Sequence, residues 1–125
     1  MKILLVDDEQ ELVSTLAERL SIRGIDADWV TSGEDAMEKI QVTTYDLAVL
    51  DMKMPRMSGL ELRKKIQEIK PQMRYLFMTG HGSAEDFYSA SSEEGADCYL
   101  VKPVNIDVLI AKITEILGQY TGSLN

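Results

Sequence analysis

Basic residues are in short supply: 13 Lys and Arg stand against 21 Asp and Glu, a formal net charge of −8 over 125 residues. A phosphate backbone is gripped by clustered cations, so this balance argues against nucleic acid as a direct ligand. There is a single cysteine, Cys98, in the apolar-leaning run Cys98-Tyr99-Leu100-Val101. Without a partner it excludes a disulfide scaffold and fits a reducing compartment, where a buried inert thiol is the ordinary outcome. Long apolar runs are missing as well, since Met1-Lys2-Ile3-Leu4-Leu5-Val6 meets Asp7-Asp8-Glu9 at once. That run is too short for a signal peptide or a membrane span, and a cytoplasmic protein is expected. No low-complexity linker and no repeat beyond a strand-helix alternation interrupts the chain. Its length predicts one domain that buries a core without disulfides or structural metal.

What is present is a regular alternation. Ile3 to Val6 reads as a buried strand, closed by Asp7-Asp8. Over 10–23, Leu12, Val13, Leu16, Ala17 and Leu20 recur at helical spacing, with Gly24 as the stop. A short strand over 27–30 contains Trp29, read as packing, and Ser32 with Asp35 opens a helix carrying Ala36, Met37 and Ile40. Leu47-Ala48-Val49-Leu50 is the third strand and delivers Asp51 to its end. Asp51 alone could be a helix cap, but Pro55 and Gly59 delay the next helix, and Ser58 with Glu61 is the better cap. Leu60, Leu62, Ile66 and Ile69 mark that helix, which ends before Pro71. Arg74 to Met78 is strand four, followed by Thr79-Gly80-His81. A serine-rich helix over 83–94, with a thin apolar face and Gly95 as its stop, is expected to be the loosest element. Cys98 to Val101 is strand five, closing in Lys102-Pro103. Asn105 caps a last helix with Val108, Leu109, Ile113, Ile116 and Leu117 facing inward, and 121–125 is expected to fray.

Five strands alternating with five helices imply an α/β fold, a parallel sheet with right-handed crossovers and helices on both faces. Ligands of such sheets bind beyond the carboxyl ends of the strands, at the switch point in strand order. In the order 2-1-3-4-5, Asp7 and Asp8 would sit beside Asp51 there, with Thr79 and Lys102 arriving from one side. Carboxylates gathered so closely repel by about 4 kcal/mol per pair at an effective dielectric near 20, so the group needs a cation or a proton. All-oxygen ligands select a hard divalent ion such as Mg²⁺, and Lys102 adds a second cation able to grip an anionic oxygen. With the Thr79 hydroxyl, the set complements a phosphoryl group attacked in line by an Asp oxygen.

Taken together, Val6-Asp7-Asp8-Glu9, Asp51-Met52-Lys53-Met54-Pro55, Met57-Ser58-Gly59, Thr79-Gly80-His81 and Lys102-Pro103 make the chain resemble a response-regulator receiver domain of two-component signalling, end to end. The resemblance implies a doubly wound, five-stranded flavodoxin-like receiver fold of order 2-1-3-4-5, with residues 1–120 as the domain. It implies Asp51 as phosphoacceptor, Asp8 as direct Mg²⁺ ligand, Asp7 holding metal-bound water, and the Lys53 backbone carbonyl as a further ligand. It also implies Lys102 on the phosphoryl oxygen, Thr79 as switch hydroxyl, Tyr99 as the aromatic that reports the state, and a cis Lys102-Pro103 bond. The positions two after the acceptor and two after the switch threonine, here Lys53 and His81, would flank attacking water and set the lifetime of the acyl phosphate.

The implied partners are a sensor histidine kinase or a histidine phosphotransfer protein, and a downstream protein met through the fourth helix, fifth strand and fifth helix. Catalysis would be confined to Mg²⁺-dependent self-phosphorylation and autodephosphorylation. Each fragment has a plainer reading when taken alone. Asp7-Asp8 resembles an acidic helix start, Lys102 a solvated lysine, Thr79 turn chemistry, and Tyr99, Met52, Met54 and Met57 packing. Two rivals share parts of the pattern. A flavin-binding carrier of this topology would need a phosphate loop where Asp7-Asp8-Glu9 stands, and a Mg²⁺-dependent phosphatase would put its nucleophilic Asp on the first strand.

Overall fold

The computed structural model describes residues 1–80 and 99–121. The helix expected over 83–94 and the residues His81, Gly95 and Cys98 lie outside the described residues, as do 122–125. In chain order the elements are β1 (Lys2–Val6), α1 (Gln10–Ile22), β2 (Asp26–Val30), α2 (Gly33–Val42), β3 (Leu47–Asp51), α3 (Gly59–Ile69), β4 (Arg74–Thr79), β5 (Tyr99–Val101) and α4 (Ile106–Thr121). The five strands form one parallel sheet in the order β2-β1-β3-β4-β5. The chain leaves β1 to one side for β2 and returns on the other for β3, so the switch point falls between the carboxyl ends of β1 and β3.

The central strands are apolar on both faces because both faces are covered. Ile3, Leu5, Leu47, Val49, Leu76 and Met78 face one core with α1 and α4. Leu4, Val6, Ala48, Leu50 and Phe77 face the other with α2 and α3. Burying one such side chain is worth about 1.5–3 kcal/mol, which makes these alternating rows the main determinant of strand register.

Helix starts are set by short-range hydrogen bonds. Ser32 Oγ accepts from the Asp35 N–H at 3.1 Å. Ser58 and Glu61 form a complete capping box, with both bonds at 3.1 Å. Asn105 Oδ1 accepts from the N–H groups of Asp107 at 2.8 Å and Val108 at 3.2 Å. Gly24, at φ +83°, ends α1 in the left-handed region that a side chain disfavours.

One packing expectation needs correction. Val108 is 47% exposed rather than inward, because it shares a helix face with Lys112 and Glu115, while Leu109, Ile113, Ile116 and Leu117 are buried. Trp29, read as packing, is 36% exposed on the edge strand β2. The last helix also runs through Thr121, one residue into the span expected to fray.

Candidate functional site

Each polar strand end at the carboxyl edge is delivered by a buried apolar run. Asp7 follows β1, its N–H bonded to the Val30 carbonyl at 3.3 Å, and is fully buried. Asp8, the next residue, is exposed. Asp51 closes β3 at 4% exposure, and Thr79 closes β4 at 1%. Lys102 lies just past β5, its N–H bonded to the Thr79 carbonyl at 2.7 Å, and its bond to Pro103 is cis.

These ends converge. One carboxylate oxygen from each of Asp7, Asp8 and Asp51 lies within 4.8 Å of the others. Lys102 Nζ stands 2.7 Å from Asp7 Oδ2, 3.1 Å from Glu9 Oε1 and 3.4 Å from Asp51 Oδ2. The Lys53 N–H approaches Asp51 Oδ1 at 3.4 Å, and the Glu9 N–H donates to Asp7 Oδ1 at 2.9 Å. The buried Thr79 Oγ1 has no hydrogen-bond partner among the described residues. Tyr99 is half-buried against the core that contains Phe77. Met52 is buried, and Met54 and Met57 pack on the same core. Met57 seats its sulfur 2.6 Å from where a Cβ on Gly33 would be, so packing accounts for the methionines.

Desolvation dominates the electrostatics. Burial, and then the charge of Asp7, push the Asp51 carboxyl up to about 6, with Lys102 and the Lys53 N–H offsetting only part of that rise. Burial likewise raises Asp7 despite its bonds to Lys102 and Glu9. Burial by itself would lower Lys102, but its bonds to Asp7 and Glu9 outweigh that and hold the ammonium protonated above its ordinary range. An edge with one ammonium among four carboxylates has room for a further cation.

Of the sequence-predicted side chains, Asp7, Asp8, Asp51 and Lys102 therefore meet at one edge, Thr79 closes the neighbouring strand there, and Tyr99 packs on the core. Two residues had no assigned part. Glu9 meets Lys102 across 93 positions, a separation that leaves no local signal. Gly59, the first residue of α3, leans on Asp51 so closely that a Cβ there would overlap the Asp51 carbonyl.

Comparison with known proteins gives a consistent likeness. A family model described as a response regulator receiver domain matches residues 3–114. The transcriptional regulatory protein CutR of Streptomyces coelicolor is 37% identical over 121 residues, which cover 97% of this chain and 55% of that protein. A response regulator receiver domain protein from Methanospirillum hungatei superposes with a TM-score of 0.86 at 32% identity, covering 98% of this chain and 97% of that one. The response regulator TrrA of Thermotoga maritima, solved in complex with Mg²⁺ and BeF, is 35% identical at a TM-score of 0.78, covering 91% and 96%. The chain spans about a quarter to about half the length of the curated relatives it matches.

Proposed function

The chain belongs to the response regulator receiver domain family, and from that premise we infer that Asp51 accepts a phosphoryl group from the phosphohistidine of a sensor kinase or histidine phosphotransfer protein. The observation that carries this reading is the gathering of Asp7, Asp8 and Asp51 oxygens within 4.8 Å, with the Lys102 ammonium 3.4 Å from Asp51.

The donor set fits Mg²⁺, since it offers oxygen atoms alone and one of its carboxylates, Asp8, faces solvent. Asp8, Asp51 and the Lys53 backbone carbonyl would hold the ion, and Asp7 its water. Bound there, Mg²⁺ offsets the carboxylate repulsion and draws charge from the phosphoryl oxygens.

In the transfer an Asp51 carboxylate oxygen attacks phosphorus in line. The P–N bond to the donor imidazole breaks, its electron pair leaves on the ring nitrogen, and a mixed anhydride forms. Lys102 donates to a phosphoryl oxygen. The buried Thr79 hydroxyl, lacking a partner among the described residues, turns to a second one. Tyr99 then moves inward and shifts the surface of β5 and α4 toward a downstream protein. Water attack reverses the modification, with Lys53 beside its path, so the chain acts only on its own acyl phosphate. No helix among the described residues is long and apolar enough to cross a membrane, and the cytoplasm, where kinase domains work, is the compartment that fits.

Incubation with Mg²⁺ and acetyl phosphate tests the reading. It predicts a single hydroxylamine-labile phosphoryl group per chain, abolished by Asp51→Asn or by chelation. A label on another residue, or steady hydrolysis of acetyl phosphate without a covalent adduct, would overturn it.

A further inference from the structure

Glu9 stands where a helix cap belongs and does not cap. It precedes α1 with an extended backbone, φ −87° and ψ 96°, and its side chain makes no hydrogen bond to the first turn. Its carboxylate instead reaches Lys102 Nζ at 3.1 Å. The carboxylate nearest that ammonium is Asp7 at 2.7 Å, followed by Glu9 at 3.1 Å and then Asp51 at 3.4 Å, both beyond the usual 2.7–2.9 Å of a charge-assisted bond. A cleft of about 370 Å³ is lined by Glu9, Leu12, Lys102 and Pro103.

We propose that Glu9 is a positioning residue that helps the buried Asp7 hold the Lys102 ammonium, and must release it before Lys102 can grip a phosphoryl oxygen on Asp51. This rests on the receiver reading of Asp51 and Lys102. An ammonium has three donors. An ion pair with Asp7 and a hydrogen bond to Glu9 make the grip on a phosphorylated Asp51 a competition rather than a resting state. The Glu9 side chain is 63% exposed, so the restraint is of the weak, salt-screened kind, amounting to about two- to fivefold in an equilibrium.

The test uses Glu9→Gln and Glu9→Ser. The serine variant supplies a better cap while removing the carboxylate, so a loosened α1 cannot explain its behaviour. In metal-free crystal structures of both variants, Lys102 Nζ is expected to move to about 3 Å or less from Asp51. Titration with beryllofluoride in saturating Mg²⁺ should show binding tightened about two- to fivefold in both variants. That gain should fade at high salt and disappear in a Lys102→Ala background.

An unmoved ammonium overturns the proposal. So does a gain that persists with Lys102→Ala, which would mean that Glu9 merely repels the anion. If the wild-type protein takes no beryllofluoride, the receiver reading fails instead, and the movement of Nζ still decides whether Glu9 restrains it.

Discussion

Lys102 Nζ lies 2.7 Å from Asp7 Oδ2, and that carboxylate is fully buried. Removing one partner of such a pair leaves the other charge desolvated and uncompensated, which is costlier than never having had the pair. Lys102→Met is expected to lower metal-free stability at pH 7 by about 1–3 kcal/mol, less than for a fully enclosed pair, because Asp7 can take a proton. Urea denaturation in the presence of a chelator measures it, and a variant as stable as wild type would remove this pair from the account of the fold.

The Asp51 carboxyl, pushed up to about 6 by burial and by the charge of Asp7, makes stability depend on pH. Between about pH 4 and 6 the folded protein holds a proton there that the unfolded chain has lost, so the metal-free protein loses stability as pH rises through that window. Asp51→Asn should remove that part of the slope and be more stable than wild type at pH 7 by up to about 3 kcal/mol. Denaturation midpoints at pH 4, 5, 6 and 7 without metal check the sign, and a wild-type stability that rises across the window would contradict it.

Mg²⁺ should reverse that penalty. Binding to the folded chain alone adds about 2.7 kcal/mol at a hundred times the dissociation constant. Thermal unfolding against Mg²⁺ concentration should show the midpoint climbing for wild type and staying flat for Asp51→Asn. Asp8→Asn should weaken the response at least tenfold, since it removes an exposed carboxylate of the group. A response to Mg²⁺ undiminished in both variants would place the ion elsewhere.

Gly59→Ala separates helix propensity from site geometry. In a solvated helix the change would stabilise by about 0.5–1 kcal/mol. Here the added Cβ would overlap the Asp51 carbonyl and come within 3.2 Å of Met52 Cα, so the loop or the strand end must shift. The expected result is a loss of about 1–3 kcal/mol together with slower phosphorylation of Asp51. A neutral or stabilised variant that phosphorylates at the wild-type rate would show that the strand end yields without consequence.

Several elements were legible because their causes are local. The capping box of Ser58 and Glu61 and the cap of Asn105 are bonds between near neighbours, and the helix starts they predict are observed within a residue. The apolar runs of β1 and β3 read as doubly covered strands because both faces of the sheet are in fact occupied. Val108 was misread because an apolar residue beside a buried stripe looks the same in sequence as one within it, and its partners Lys112 and Glu115 decide the face.

By itself, then, the sequence determined, among the described residues, the alternation of strands and helices, the helix starts, and the presence of an acid, a hydroxyl and a lysine at strand ends, since each depends on spacing along a few residues. Through family resemblance it also carried the strand order. The tertiary structure alone decided that of two adjacent acids Asp7 is fully buried while Asp8 meets solvent. It alone raised the Asp51 carboxyl toward neutrality and brought Glu9 to Lys102. Burial and Coulomb interaction depend on distances through space between residues up to 93 positions apart, and no local pattern encodes them.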